Sequence, residues 1–332
     1  MSLKDKRVIV VGATGAVGRE CLSILAQRGV PAGNIVALAS ARSAGITIPY
    51  ASGGVTVAEL NAQAFNPSDV AIFCATSGVA RQWVPLAVER GATVVDNSSA
   101  FRMRDDVPLV IPEINPVRAG KVIANPNCST IIMLVALEPL RKAFGVESIV
   151  VSTYQAVSGA GQAGIDALQR EVAGDAASGP FAEPCAFNVF SHNSAMDPAT
   201  GLNGEEQKMI DESRKIWNQP DLEVIPTCVR VPVYRAHSES ICVRLTQPAT
   251  ESQIRAAYAD ARGVRVVDDR AANAFPTPLK ASGRDDVLVG RIRPAVTGAA
   301  DQATRTWCLW ACGDQLRKGA ALNAVQVAEG IA

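Results

Sequence analysis

The stretch Arg7-Val8-Ile9-Val10-Val11-Gly12-Ala13-Thr14-Gly15-Ala16-Val17-Gly18 decides the fold of this chain. It begins as a short apolar run typical of a buried strand and continues as a glycine loop that opens a helical pattern over Ala16 to Arg28. In this setting, backbone N–H groups at a helix N-terminus bind the pyrophosphate of a dinucleotide. The glycine spacing departs from G-x-G-x-x-G by one residue. A tight turn without a ligand is the simpler alternative, but the context favours dinucleotide binding.

Strand and helix patterns alternate through the first half of the chain. Further strands are predicted at Ile35 to Ala39, Val70 to Ala75, Thr93 to Asp96 and Val122 to Ala124, and a helix at Val79 to Arg90. This alternation predicts an α/β fold with a Rossmann-like, doubly wound parallel sheet. From Val146 the pattern changes to longer β-rich runs, which predict a second, α+β domain with a mixed sheet. We predict a dinucleotide-binding domain of residues 1–127 with 314–332, whose Gln315 to Ile331 is helical, and a second domain of residues 128–313.

Composition excludes several classes of function. Lys and Arg total 32, as do Asp and Glu, so no basic surface for nucleic acid or for an acidic membrane is expected. No apolar run approaches the ~20 residues of a membrane helix. The first residues resemble neither a signal peptide nor a transit peptide. Together with unpaired cysteines, these features predict a cytoplasmic protein.

Cys128 lies in Asn125-Pro126-Asn127-Cys128-Ser129-Thr130, directly before an apolar helical run that ends near Gly145. Pro126 disfavours helix upstream, and Asn127, Ser129 and Thr130 are capping residue types, so Cys128 is expected at a helix N-terminus. The positive end of the helix dipole favours the thiolate, which is the nucleophilic form of cysteine. A thiol beside a nicotinamide indicates redox chemistry on an acyl group through a thioester.

The other seven cysteines fit the ordinary role of a small buried hydrophobic residue. The chain has no C-x-x-C pair and no His-x-x-x-His, so no metal site is predicted. For Cys128 itself, the residue pattern alone leaves the structural and catalytic roles about equally open.

The segment after the second predicted strand indicates which dinucleotide binds. NAD sites usually place a carboxylate there for the ribose 2′-OH, but this chain has Ser40, Arg42 and Ser43. One cation and two hydroxyls suit a 2′-phosphate, which favours NADP. A solvated turn that happens to contain Arg42 is the alternative.

His192 and His237 are the only histidines, so a general acid/base has few candidates. His192 lies in a polar segment, where a structural role is expected. His237 and Arg230 are separated by an odd number of residues, so an unbroken strand would point them to opposite faces. Pro232 is therefore expected to interrupt the strand, with a loop between Arg230 and His237.

Taken together, eight segments in this order resemble the aspartate-β-semialdehyde dehydrogenases over nearly the whole chain. They are Gly12–Gly18, Ser40–Gly45, Asn97–Arg102, Asn125–Thr130, Thr153–Gly161, Glu205–Lys208, Arg230–His237 and Leu316–Ala324. The resemblance implies a glyceraldehyde-3-phosphate dehydrogenase-like fold whose second domain is catalytic and forms a homodimer. It also implies NADPH-dependent reductive dephosphorylation of L-aspartyl-4-phosphate to L-aspartate 4-semialdehyde and phosphate. That step feeds the synthesis of lysine through diaminopimelate, and of threonine and methionine.

The resemblance also implies roles for individual residues. Cys128 is the nucleophile, His237 the acid/base, and Gln155 orients the thioester. The implied substrate-binding residues are Arg230 for the carboxylate, Glu206 for the amino group, and Arg102, Asn127 and Lys208 at the phosphate. The implied cofactor-binding residues are Gly12, Thr14, Gly15, Ala16, Val17, Ser40, Arg42, Ser43, Thr76, Ser158, Gly159 and Asn323.

Two alternatives remain at this point. N-acetyl-γ-glutamyl-phosphate reductase also uses a glycine loop, a thiol and a histidine, but its motif has glycine before the cysteine, whereas this chain has Asn127. A non-enzymatic paralogue that keeps the fold for interaction is the second alternative, and the presence of Cys128, Arg230 and His237 argues against it.

We predict that Arg42→Ala weakens NADPH binding and leaves NADH binding nearly unchanged, because only NADPH carries the 2′-phosphate. Loss of a charge-assisted hydrogen bond costs about 1.5–3 kcal/mol. Dissociation constants for both dinucleotides, measured by fluorescence titration of wild type and variant, test this. An equal loss for both would assign Arg42 a structural role.

Overall fold

The computed structural model describes residues 2–117, 120–175, 179–296 and 302–332. The contacts within it divide the chain into two compact units, residues 1–127 with 320–332 and residues 128–319. Residues 314–319, which the sequence analysis assigned to the first domain, are grouped with the second unit here. The domain assignment itself stays a prediction. No helix among the described residues is long and apolar enough to cross a membrane.

The helices follow the chain from the glycine loop to the C-terminus. They are α1 Ala16–Gln27, α2 Ser77–Glu89, α3 Cys128–Phe144, α4 Gln162–Val172, α5 Gly204–Trp217, α6 Glu251–Ala257, α7 Pro278–Ala281 and α8 Leu322–Ile331. A π-helical turn, Arg317–Ala321, leads into α8. The predicted helix over Gln315 to Ile331 is thus α-helical only in its second part.

The strands fall into three sheets. They are β1 Val8–Val11, β2 Ile35–Ala39, β3 Thr47–Tyr50, β4 Gly53–Thr56, β5 Ala58–Glu59, β6 Val70–Phe73, β7 Thr93–Asp96, β8 Val122–Ala124, β9 Val146–Gln155, β10 Phe190–Ser191, β11 Glu223–Arg230, β12 His237–Ala249, β13 Val264–Val266, β14 Val287–Pro294 and β15 Thr304–Gly313. The β3–β4 hairpin and strands β5, β10, β13 and β14 were not predicted from the sequence.

The first unit is built on a six-stranded sheet in the order β5-β2-β1-β6-β7-β8, and every pair of neighbours is parallel. Every residue of β1 and β6 is buried, as expected for central strands of a sheet covered on both faces. Apolar residues of α1 and α8 share one core with β1, for example Leu22, Leu25, Leu322 and Val325. The predicted doubly wound parallel sheet is therefore confirmed.

The glycine loop brings the N-terminus of α1 close to the sheet. Gly12 has φ +82°, and a Cβ on it would lie 2.4 Å from the carbonyl oxygen of Cys74. A Cβ on Gly18 would lie 2.2 Å from the carbonyl oxygen of Gly12. Both positions therefore exclude any side chain, because real Cβ atoms do not come this close to a carbonyl oxygen.

The second unit contains a seven-stranded mixed sheet in the order β10-β11-β9-β12-β15-β14-β13. β9 is parallel to β11 and antiparallel to β12, so the end of β9, the end of β11 and the start of β12 meet at one edge of the sheet. Helix α3 packs against β12, β14 and β15, and 11 of its 17 residues are buried. The mixed sheet predicted from the β-rich pattern is confirmed.

The predicted interruption between Arg230 and His237 is also confirmed. β11 ends at Arg230 and β12 begins at His237, so the intervening residues form a loop. The chain reverses there, and both side chains are buried.

We predict that Gly18→Ala lowers the free energy of unfolding of the cofactor-free protein by about 1–3 kcal/mol, the usual cost of overpacking. Gly33→Ala is the matched control, because a Cβ on Gly33 meets no heavy atom within 4 Å. It should change stability by less than about 0.5 kcal/mol. Urea unfolding followed by circular dichroism compares the two. Equal midpoints for both variants would contradict the close approach of Gly18 to Gly12.

Candidate active site

Cys128 is the first residue of α3, as the sequence predicted. Its thiol is partly exposed, whereas the residues that follow it in α3, from Ser129 to Leu137, are buried. A Cβ on Gly319 would lie 3.0 Å from the Cβ of Cys128, a contact tighter than most, so Gly319 leaves room beside the nucleophile. The positive end of the helix dipole at the start of α3 favours a negative charge on the sulfur.

His237 lies against this thiol. Its Nε2 is 3.5 Å from the Sγ of Cys128, and its Nδ1 accepts a hydrogen bond of 2.9 Å from the backbone N–H of Ala156. An amide nitrogen can only donate, so Nδ1 carries no hydrogen. The ring hydrogen of the neutral imidazole is therefore on Nε2, where it faces the sulfur of Cys128.

Burial keeps this imidazole neutral. His237 is fully buried, and burial together with the nearby Arg230 guanidinium holds its pKa well below the ordinary value of 6.5. A second ring proton would also have to displace the Ala156 N–H. The arrangement therefore allows His237 to donate a hydrogen bond to a thiolate on Cys128, and the acid/base role implied for it by the resemblance stays a prediction.

Arg230 is buried beside His237 and held by three acceptors. Its Nη1 donates to the carbonyl oxygen of Ala156 at 2.7 Å, and its Nη2 lies 2.9 Å from His192 Nε2 and 3.0 Å from Asn193 Oδ1. The ring of Phe181 covers the guanidinium, with its centroid 5.4 Å from Cζ. Within the described part of the chain the buried Nε has no hydrogen-bond partner. Arg230 thus offers a donor to an incoming anion.

Gly159 allows Arg230 and His237 to come together. A Cβ at this position would lie 2.8 Å from Arg230 Nη1 and 3.3 Å from His237 Cε1. Packing against Arg230 and His237 therefore explains a glycine at position 159 without any cofactor contact. Its predicted contact with the nicotinamide stays a prediction, as does that of Ser158, whose buried hydroxyl accepts a hydrogen bond from Gln315.

Gln155 ends β9 directly opposite Arg230 of β11. Its Nε2 lies 3.2 Å from Thr153 Oγ1 and 3.4 Å from Glu205 Oε1. The Glu205 carboxylate also accepts a hydrogen bond of 3.1 Å from Lys208 Nζ. The structure therefore brings Gln155, Glu205 and Lys208 into one cluster.

Glu206, the predicted contact for a substrate amino group, has a different environment. It is the third residue of a capping box, in which its Oε2 accepts from the N–H of Asn203 at 2.9 Å. Its Oε1 accepts from the N–H of Cys228 at 2.9 Å. Both oxygens thus bind backbone, so the geometry favours Glu205 for the role that the resemblance implied for Glu206.

A cavity of about 480 Å³ lies at the carboxyl ends of the strands in the first unit. It is lined by residues of the glycine loop, of the segment after β2 and of the start of α2, and the predicted cofactor residues among them are Gly12, Thr14, Gly15, Ser40 and Thr76. Ala16 and Val17 form the first turn of α1, whose N-terminus starts at this loop. The tight packing at Gly12 and Gly18 holds the N-terminus of α1 against the sheet beside this cavity, and a helix N-terminus there suits a dinucleotide pyrophosphate.

Two predicted cofactor residues lie beside this cavity rather than in its lining. Arg42 is exposed in a 3₁₀ turn, Ala41–Ser43, and the Ser43 hydroxyl is 3.4 Å from that of Thr14. Glu59 lines the cavity instead, since β5 pairs with β2 so that Glu59 is opposite Ala39. Glu59 was not predicted as a cofactor-site residue, because strand β5, to which it belongs, was itself not predicted from the sequence.

The remaining predicted residues of the first unit are buried. Arg102 donates to the carbonyl oxygens of Asn125 at 2.9 Å and Asn97 at 2.7 Å. Asn323 donates to Val110 O at 2.9 Å and to Asn125 Oδ1 at 2.6 Å. Asn127 immediately precedes α3 and is also buried. Their roles toward phosphate and cofactor stay predictions.

Among the described residues, no group of His, Cys, Asp and Glu could hold a metal ion. All eight cysteines are free. Burial raises the pKa of the Cys185 thiol to about 11, and it also raises that of Cys312 to about 11. Such thiols remain protonated, in keeping with the structural role predicted for them.

Asn193 and Phe181 beside Arg230 were not predicted from the sequence, and His192 was expected to be structural without a contact to Arg230. The sequence-based prediction also chose Glu206 over Glu205. A signal existed for the second point, since Asn203-Gly204-Glu205-Glu206 is a capping-box pattern that commits the last residue to the helix end. The contacts around Arg230 join residues far apart in sequence and had no local signal.

Comparison with known proteins shows the family to which this chain is similar. A family model described as the NAD-binding domain of semialdehyde dehydrogenase matches residues 7–121, and one described as its dimerisation domain matches residues 137–318. The aspartate-semialdehyde dehydrogenase of a Synechocystis strain is 45% identical, covering 97% of this chain and 96% of its own. That of Bacillus subtilis is 40% identical, covering 98% and 96%. The crystal structure of aspartate semialdehyde dehydrogenase II from Vibrio cholerae, complexed with ASA, has a TM-score of 0.89 at 39% identity, covering 98% of this chain and 97% of its own.

We predict that neither histidine titrates between pH 8 and pH 6 in the folded protein. Burial lowers the pKa of His192 from 6.5 to about 4, and that of His237 is also lowered. The unfolded chain thus binds protons first, so the free energy of unfolding falls as the pH drops from about 6.5 toward 4. Ring Cε1–H NMR signals followed against pH test this, with the urea-unfolded chain as control. A native signal with a midpoint near 6.5 would contradict it.

Proposed function

This chain belongs to the aspartate-semialdehyde dehydrogenase family, and we propose that it converts L-aspartyl-4-phosphate to L-aspartate 4-semialdehyde and phosphate with NADPH as the reductant. The observation that carries this proposal is the Cys128–His237 pair, with 3.5 Å between Sγ and Nε2 and the ring hydrogen directed at the sulfur. Such a pair suits covalent catalysis on an acyl group.

The Cys128 thiolate attacks the acyl carbon, the C–O bond to phosphate breaks, and a thioester forms on the sulfur. A nicotinamide dinucleotide, when bound, would supply the hydride for reduction of this thioester. The resulting alkoxide collapses to the aldehyde and expels the thiolate, so no net proton transfer is needed in that step. His237 Nε2–H stabilises the thiolate before attack and after collapse, and Gln155 orients the acyl oxygen from the end of β9.

The substrate has an anion at each end, and the site offers separate cations for them. Arg230 binds the α-carboxylate, since a guanidinium suits a carboxylate and its Nε has no acceptor among the described residues. A carboxylate at the start of α5 binds the amino group, and Glu205 is better placed for this than Glu206, whose oxygens both accept from backbone. Lys208, Arg102 and Asn127 bind the phosphate.

NADP is the proposed dinucleotide. Ser40, Arg42 and Ser43 follow β2, where a 2′-phosphate would lie, and Arg42 is exposed and able to turn toward it. The nicotinamide half is assigned to Ser158, Gly159 and Asn323. Glu59 is the one carboxylate in the lining of the described cavity, and it would repel a 2′-phosphate unless Arg42 lies between them.

A homodimer is the proposed assembly, formed through the face of the mixed sheet that α3 does not cover. Val150 and Ile225 on that face are 47% and 49% exposed, which is high for apolar strand residues. Tyr154 and Trp310 lie on the same face of the sheet, with their ring centroids 5.3 Å apart. The eight free cysteines are compatible with the proposed cytoplasmic location. The proposed reaction assigns the protein to lysine, threonine and methionine synthesis.

The reverse reaction tests the proposed function directly. Wild-type protein with L-aspartate 4-semialdehyde, phosphate and NADP should produce NADPH absorbance, and omission of phosphate should stop turnover. N-acetyl-glutamate semialdehyde is the comparison substrate. Preference for the acetylated substrate would support the reductase alternative, and no activity with either would support the non-enzymatic paralogue.

We predict that substitution of Arg230 and substitution of Lys208 raise the KM of different substrates. Arg230→Lys keeps the charge but loses the planar fork, so the KM for semialdehyde should rise about tenfold or more, which corresponds to about 1.4 kcal/mol. Lys208→Ala should raise the KM for phosphate most. Gln207→Ala is the control on the same helix, because the Gln207 amide bonds Asp211 and not the site. If Arg230→Lys raised the phosphate KM most, the substrate orientation proposed here would be reversed.

A further inference from the structure

His192 is held beside Arg230 by the edge of the mixed sheet. Strand β10 pairs with the end of β11, so that Phe190 is opposite Arg230, and the N–H of His192 donates to the carbonyl oxygen of Cys228 at 2.9 Å. The His192 side chain then lies with its Nε2 2.9 Å from Arg230 Nη2. The pairing of the strands therefore fixes the backbone of His192 relative to Arg230 independently of the contact between the two side chains.

The contact with Arg230 decides which nitrogen of His192 carries the hydrogen. A guanidinium only donates, so its contact of 2.9 Å needs an acceptor at Nε2. The backbone N–H of Ser194 is also directed at the ring, 3.2 Å from Nδ1, but a neutral imidazole accepts at only one nitrogen. The shorter contact with the charged guanidinium decides between the two, so the ring hydrogen is on Nδ1 and is donated to Ser194 Oγ at 3.1 Å.

This hydroxyl connects His192 to the start of α5. Ser194 Oγ accepts from the N–H of Glu205 at 3.0 Å and donates to Asn203 Oδ1 at 3.3 Å. Asn203 is the residue that caps α5, the helix that carries Glu205 and Lys208. A continuous chain of hydrogen bonds thus runs from Arg230 through His192 and Ser194 to the helix end.

The charge state of His192 agrees with this direction of donation. Burial, with the Arg230 charge as a further cause, lowers the pKa of His192 to about 4. The ring is therefore neutral at physiological pH, as an acceptor for a guanidinium must be.

We propose that His192 is a positioning residue for the reaction, which holds the Arg230 guanidinium in the orientation that binds the substrate carboxylate and couples it to the start of α5. The inference rests on the proposed function of Arg230. His192 acts through Arg230 and does not itself contact the reacting atoms. Asn193 and Ala156 accept from the same guanidinium, so loss of His192 should loosen Arg230 without releasing it.

Two substitutions separate this role from a structural one. His192→Leu removes the acceptor, whereas His192→Gln places an amide oxygen near the position of Nε2. The KM for semialdehyde should rise roughly tenfold or more in His192→Leu, the cost of one hydrogen bond to a charged group. The kcat and the phosphate KM should change little, and His192→Gln should recover most of the loss. Wild-type KM values in a folded His192→Leu, or equal damage from Leu and Gln, would overturn the proposal.

The double variant His192→Leu/Arg230→Lys tests whether His192 changes the semialdehyde KM through Arg230. The Leu substitution should raise the semialdehyde KM far less in the Arg230→Lys background than in the wild type, because the two residues act as a unit. Fully additive effects would show that His192 acts by another route.

A readout without turnover keeps this inference apart from the proposed function. In protein with ¹⁵N-labelled arginine, the Arg230 guanidinium hydrogens should exchange slowly in wild type, fast in His192→Leu and slowly again in His192→Gln. If the wild type failed to oxidise aspartate semialdehyde, the proposed function would fall, and this exchange pattern alone would decide whether His192 positions Arg230. Unchanged exchange in His192→Leu would overturn the positioning role whatever the activity.

Discussion

A single backbone hydrogen bond sets the chemistry of the site. The N–H of Ala156 donates to Nδ1 of His237, so the ring can hold its hydrogen only on Nε2, where it faces the Cys128 sulfur. A thiol that gave its proton to Nε2 would create an imidazolium with two N–H groups, and one of them would point at the amide of Ala156. The described geometry therefore favours a thiolate with a neutral hydrogen-bond donor over a thiolate–imidazolium pair.

The mixed sheet makes this arrangement possible because three strands end or begin at one edge. Gln155 ends β9, Arg230 ends β11 and His237 begins β12. The loop with Pro232 reverses the chain between the last two, so residues that an unbroken strand would point to opposite faces meet in one site. Gly159 completes the arrangement by leaving the space that a Cβ would take from Arg230 and His237.

The sequence predicted those parts of the molecule that leave local signals. The glycine loop, the alternation of strands and helices, and Cys128 at the start of α3 each depend on a short run of residues, and each is present as expected. The break between Arg230 and His237 followed from the two-residue period of a strand and was also found. The resemblance supplied the residue roles, which stay predictions for the individual positions.

What the sequence could not predict depends on contacts between distant segments. Glu205 and Glu206 are adjacent and chemically alike, and only the cap formed with Asn203 decides which carboxylate faces Gln155. Glu59 reaches the cavity through a two-residue strand too short to have a period. The link from His192 to Arg230 depends on the pairing of β10 with β11, and no local pattern records it.

The central claim is that the acyl group is carried on Cys128 as a thioester. Intact mass spectrometry tests it most directly, after the protein is mixed with L-aspartate 4-semialdehyde and NADP in the absence of phosphate. One aspartyl adduct per chain is expected, located on the peptide that contains Cys128, with one NADPH formed for each adduct. Addition of phosphate should remove the adduct, and Cys128→Ser should form none. NADPH formation without an adduct, or an adduct on another residue, would contradict the account.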